Sequence, residues 1–185
     1  MIKWIDPKCY QHYSHVVDLI DCFIDDYSDW KKVYDPVKDT EKFNDRFKTG
    51  NDIGWMTQSI INNKIVNIKN ASLWPRSIKQ MKFVEGVVNC YVNFIMPFKI
   101  VPLHKDDYYE KNIIDNPVYG SVIGISMPSS DPSVVGFEVG GEIKGWPTGG
   151  IVSFDGNVLH SGWNYTNEIR VTALLDIEQK YWRLN

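Results

Sequence analysis

The sequence predicts an α+β fold, with N-terminal helices packed on one sheet of a jelly-roll, or double-stranded β-helix, and three observations carry that reading. Near the N-terminus, apolar residues recur at helical spacing. The C-terminal half breaks into about seven short β-branched and aromatic runs parted by Gly, Pro, Asn and Asp. No linker, internal repeat or low-complexity tract divides the 185 residues, a length usual for one domain. A single domain over residues 1–185 is therefore expected, with 1–82 mainly helical and 83–185 forming the β core.

From Pro7 to Tyr27, Val16, Ile20, Phe23, Ile24 and Tyr27 give one apolar stripe on an amphipathic helix. Between Ser28 and Asn70 the chain is charged and broken by Pro36, Gly50 and Gly54, with one helix expected around Thr57 to Asn62. Trp74-Pro75 opens another, because proline suits the first helical position. After Phe83, Val87 to Met96 is rich in strand formers and alternates between polar and apolar faces. Further strands are expected at Lys99 to Leu103, Tyr119 to Met127, Val134 to Val139, Gly150 to Phe154, Val158 to Trp163 and Ile169 to Ile177.

Bulk chemistry narrows the function. Lys plus Arg number 20 and Asp plus Glu 23, a net charge of −3 that offers a phosphate backbone no overall attraction, so nucleic acid is not an expected partner. Cys9, Cys22 and Cys90 are widely spaced and form no C-x-x-C pair, which argues against a disulfide framework and a thiolate zinc site. No apolar stretch has the length of a signal peptide core or a membrane span, so a cytoplasmic protein without membrane attachment is expected. Asn70-Ala71-Ser72 and Asn164-Tyr165-Thr166 are then chance matches to the glycosylation pattern. His12 and His15 read as a solvated helix face, as do Arg76, Lys79 and Lys82.

Two of the four histidines carry chemistry by their neighbours. In His104-Lys105-Asp106 an extended backbone puts both outer side chains on one side of the chain, within reach of one ion. With His160 from a distant strand they form a two-His-one-carboxylate triad, which leaves coordination positions open and is the pattern of non-haem Fe(II) oxygenases. Asp107 reads as a solvated turn residue. A chelating 2-oxo acid could fill two open positions, and its far carboxylate then needs a forked cation. Arg170 supplies one, and strand alternation turns Thr172 to the same face. Asn89, Tyr91 and Asn93 share a polar strand face, which either lines the pocket, with Tyr91 or Asn93 bonding the co-substrate, or is solvated.

These residues give the chain a resemblance to the 2-oxoglutarate and Fe(II)-dependent oxygenases, nearest to their aspartyl/asparaginyl β-hydroxylase branch, over roughly Asn89 to Trp182. The anchors are Val101-Pro102-Leu103-His104, then Gly150 to Asp155 leading to His160, then Trp163, Arg170 and Asp176 at the family's offsets. Asp106 departs from the branch, whose motif often lacks the carboxylate, and favours a three-ligand site. A co-substrate-touching histidine that the branch carries on the next strand is absent from Gly120-Ser121-Val122-Ile123-Gly124, so Ser121 substitutes or binding differs. The resemblance implies Fe(II), 2-oxoglutarate and O2 as cofactor and co-substrates, succinate and CO2 as products, and hydroxylation of an amino-acid-like small molecule or a peptide or protein side chain. The competing readings are a cupin-like metalloprotein or isomerase without an oxo acid, a binding barrel with a decayed metal site, and a nucleic-acid demethylase. Trp146 and Trp163 stand near the expected mouth, for substrate contact or for packing.

Overall fold

A computed structural model describes residues 2–43, 45–49, 52–106 and 114–184, with only the backbone of 45–49, 52 and 53. The strands are β1 (Trp4–Ile5), β2 (Asp45–Thr49), β3 (Asp52–Asn62), β4 (Ile65–Val66), β5 (Val87–Ile95), β6 (Lys99–His104), β7 (Val118–Ser126), β8 (Val135–Val139), β9 (Glu142–Lys144), β10 (Ile151–Phe154), β11 (His160–Asn164) and β12 (Arg170–Glu178). The helices are α1 (Tyr13–Val33), α2 (Ile68–Ala71) and α3 (Pro75–Met81). An eight-stranded sheet in the order β1-β10-β7-β12-β5-β3-β2, with β4 paired to β3, faces a four-stranded sheet β6-β11-β8-β9. All pairs are antiparallel. This is the expected jelly-roll.

Helix α1 turns Val16, Leu19, Ile20, Phe23 and Trp30 inward at helical intervals. They cover the back of the large sheet, where Met56, Ile60, Val92, Phe94, Ile123, Val171, Ala173 and Leu175 complete one apolar core. The helix starts later than expected because Asp6 caps a separate short turn at Pro7–Cys9, accepting from the Lys8 amide at 2.9 Å. Helix α3 begins at Pro75 as expected. Its first turn is capped from a distance, since buried Asp26 of α1 accepts from the Ser77 amide and hydroxyl, both at 2.8 Å, and from Arg76 Nη1 at 3.1 Å.

Residues 1–82 are less helical than expected. The helix expected at Thr57 to Asn62 is part of β3, which belongs to the large sheet beside β5. The alternation was obscured because Gln58 is a fully buried core residue, its amide satisfied by the Lys42 carbonyl at 2.8 Å and the Trp74 indole at 2.6 Å. Arg76 is likewise no free patch cation, because Asp26 and Asp29 hold it at 3.1 and 2.9 Å. Among the described residues no helix is long and apolar enough to cross a membrane.

Candidate active site

Between the sheets lies a cavity of about 320 Å³. The strand pairing explains which residues reach it. Register sets Arg170 against Ile95, Thr172 against Asn93 and Leu174 against Tyr91, and all six side chains line the cavity. Their neighbours Val171, Ala173, Val92 and Phe94 point the other way, into the helical core. From the small sheet come Val101 and His104 on β6, Phe137 on β8, and His160 and Gly162 on β11.

His104 and His160 are direct cross-strand partners. Asp106 follows in the loop after β6, its amide bonded to the Gly156 carbonyl at 2.8 Å. Gly156 lets the two segments approach closely, since a Cβ would stand 3.0 Å from that of Asp106. One ligand atom from each of His104, Asp106 and His160 lies within 4.8 Å of the others. Asp106 Oδ2 is 3.3 Å from His160 Nε2, and Oδ1 is 3.7 Å from His104 Nε2.

Both imidazoles are oriented from behind. His104 Nδ1 lies 2.7 Å from the Pro102 carbonyl and His160 Nδ1 2.8 Å from the Val158 carbonyl. A carbonyl can only accept, so each Nδ1 carries the proton and each Nε2 offers its lone pair to the shared space. Burial and the neighbouring His160 lower the His104 pKa. Burial works against a charged His160 too, but the Asp106 hydrogen bond and charge outweigh it and raise that pKa. Two neutral-capable imidazoles, a carboxylate and no cysteine fit a divalent first-row metal.

Arg170 is 2% exposed. Its Nη1 donates to the Gly136 and Trp163 carbonyls at 2.8 and 3.2 Å, its Nε has no partner, and no carboxylate pairs with it among the described residues. Burial pushes its pKa down to about 10, which still leaves a cation at neutral pH. A buried, incompletely bonded guanidinium in a cavity wall is suited to an anionic ligand. Asn93 adds a donor. Its Oδ1 already accepts from Trp55 Nε1 at 3.1 Å and Thr57 Oγ1 at 2.8 Å, which turns its NH2 group away from those two donors.

A family model for aspartyl/asparaginyl β-hydroxylases matches residues 26–180. The chain belongs to that family. A curated relative, the ornithine lipid ester-linked acyl 2-hydroxylase of Rhizobium tropici, is 22% identical over 125 residues, which cover 68% of this chain and 42% of the relative. The chain thus matches well under half the length of that relative. Among solved structures, AviO1 from Streptomyces viridochromogenes Tue57 shares the fold with a TM-score of 0.54 at 14% identity, over 87% of this chain and 84% of AviO1. A Pseudomonas putida prolyl-4-hydroxylase does so with a TM-score of 0.53 at 13% identity, over 85% and 86%.

In this β-hydroxylase family member the remaining expected site residues divide. Tyr91, Asn93 and Thr172 line the cavity, so the polar face of β5 is the inner one. Ser121 does not. It pairs with Leu175, on the helix-facing side of the sheet, and its hydroxyl meets Ser153 Oγ at 2.8 Å, whereas its neighbour Val122 faces the cavity. The expected contact of Ser121 with the co-substrate is therefore corrected by one step of strand parity. Trp163 bonds the Pro132 carbonyl at 3.0 Å and does not line the cavity; Trp146 packs behind Arg170. His12 and His15 approach Glu85 and Asp18 at 3.7 and 4.0 Å and join no metal-competent group among the described residues. Asp107 lies outside the described residues.

Sequence reasoning misses Trp55, Thr57 and Asn62, all on β3, and names Asp176 only as a family offset, without its burial. Asp176 accepts from Asn89 Nδ2 at 2.8 Å, and burial together with the charge of Asp106 raises its pKa to about 7. The missing signal for the β3 residues was the alternation that Gln58 conceals.

Proposed function

We propose that this chain is an Fe(II)- and 2-oxoglutarate-dependent oxygenase that hydroxylates a C–H bond. His104, Asp106 and His160 hold the iron. Arg170 and Thr172 hold the far carboxylate of 2-oxoglutarate, and Asn93 and Tyr91 bond it along the same wall. The observation that carries this reading is the buried Arg170 without a carboxylate partner, sharing one cavity with a His-Asp-His group. When bound, the iron and oxo acid would supply oxidative chemistry with O2, releasing succinate and CO2.

The chain's own residues do the rest. The two carbonyl-anchored imidazoles keep one tautomer, the Arg170 cation orients the dicarboxylate, and Phe137, Phe154, Val122 and Leu174 keep that part of the cavity dry. The substrate is an amino-acid-like small molecule or a peptide or protein side chain, and the acyl chain named for the Rhizobium relative belongs in the same screen. A metalloprotein or isomerase without an oxo acid would give Arg170 no ligand.

The test is anaerobic titration with Fe(II) and then 2-oxoglutarate, followed by visible absorption. A weak charge-transfer band is expected, and Arg170→Ala should weaken 2-oxoglutarate binding by about a hundredfold, the loss typical of a buried charge-assisted pair. Iron binding without any band in the unaltered protein would overturn the reading.

A further inference from the structure

Two carbonyls fix one end of the Arg170 guanidinium, because Nη1 donates to both, those of Gly136 and Trp163. A planar fork held at one nitrogen can still pivot about it. Beside it stands Trp146, over whose ring the Arg170 Cζ lies 5.2 Å from the centroid, and which is itself buried. Trp146 is confined in turn. Phe137 meets it edge-on at 6.2 Å, and Gly124 and Gly150 lie against its segment, where a Cβ would come 3.1 Å from the indole nitrogen at the first and 3.2 Å from Cδ1 at the second, and closer still to the Pro147 carbonyl at both. The segment bearing it is tied to β7 by amide bonds between Gly124 and Gly150 at 2.9 Å and between Gly149 and Gly124 at 2.8 Å.

The indole N–H of Trp146 is buried without a partner. Trp4, Trp30 and Trp182 also bury an indole N–H without a partner, so the orphan donor alone does not set Trp146 apart. Its aromatic face does, because a π surface holds a desolvated cation where no carboxylate is available.

We infer that Trp146 is a positioning residue for the oxo acid: it locks the Arg170 fork in the plane that receives the far carboxylate. This rests on the proposed role of Arg170. It places a determinant of co-substrate choice on the loop between β9 and β10, outside the cavity lining.

The experiment is calorimetric titration of Mn(II)-loaded protein with 2-oxoglutarate and with 2-oxovalerate, which lacks the far carboxylate. The readout is the ratio of the two dissociation constants. Trp146→Leu should reduce that discrimination about tenfold, the size of a buried cation–π contact. Trp146→Phe, with a smaller ring face, should reduce it less, and 2-oxovalerate itself should bind all forms alike. In an Arg170→Ala background the Trp146→Leu effect should vanish, the signature of two residues acting as a unit. Unchanged discrimination in both tryptophan variants would overturn the inference, and Trp146→Phe alone decides it should Trp146→Leu not fold. If Arg170→Ala itself leaves discrimination unchanged, the fault lies with the proposed role of Arg170.

Discussion

Asp176 carries an ionisation that its surroundings oppose. Its pKa is displaced from an ordinary carboxyl value to about 7, first by burial and then by Asp106, with Asn89 and His160 pulling the other way. A folded-state pKa raised above the unfolded one gives stability that is full below the unfolded value and is lost as pH rises through the folded one. Metal-free protein should therefore lose stability between about pH 4 and pH 7 through this group. Asp176→Asn keeps the shape and removes the charge. It should be more stable than the unaltered chain at pH 8, by on the order of 2 to 4 kcal/mol, and the gain should fade towards pH 4. Urea unfolding across that range measures it, and a gain independent of pH would refute the assignment. At this scale His104, Asp106, His160 and Arg170 were legible because spacing and residue type alone nominate them. Asp176 was noticed only as an offset, because its burial depends on a sheet that no local pattern describes.

At the scale of elements, strand parity did most of the placing. Alternation groups Tyr91 with Asn93 on β5 and Arg170 with Thr172 on β12, and the sheet pairing decides that these faces are the inner ones, whereas Ser121 rests on resemblance alone and register puts Val122 at the cavity instead. Strand β3 was read as a helix because Gln58 occupies a core position with both amide groups bonded. Helix α3 was read correctly from Pro75, yet its docking to α1 was not, since the clip depends on Asp26, a polar residue on an apolar face. Asp26→Ala removes four acceptor contacts to the first turn of α3 and leaves donors buried. It should cost about 3 kcal/mol in urea unfolding, whereas Asp29→Ala, at the exposed end of Arg76, should leave the midpoint unchanged. Equal effects of the two would show that the clip contributes no more than a surface pair.

Over the whole molecule, the two sheets divide the labour. His104 and His160 hang from the small sheet, while Arg170, Thr172, Asn93 and Tyr91 stand on the large one. A dicarboxylate chelating a metal at one end and held by Arg170 at the other would bridge them. The jelly-roll as a whole was legible, because regularly spaced β-rich runs admit few architectures, but the cavity's polar wall on β3 was hidden with that strand.

The pairing of His160 with His104 would make a metal bound there a reversible cross-link. Among the described residues β6 is one of the two edge strands of its sheet, hydrogen-bonded to β11 alone. An ion shared by the two histidines would tie residue 104 to residue 160 in the folded chain only, and would stabilise it by mass action, more strongly the higher the metal concentration. Amide protons of residues 99–104 should then exchange with solvent faster than those of β11 in the metal-free protein, and adding Mn(II) should slow them selectively. In His160→Ala the metal should lose that effect. An edge strand would thus report, through its own fraying, whether the cavity holds a metal.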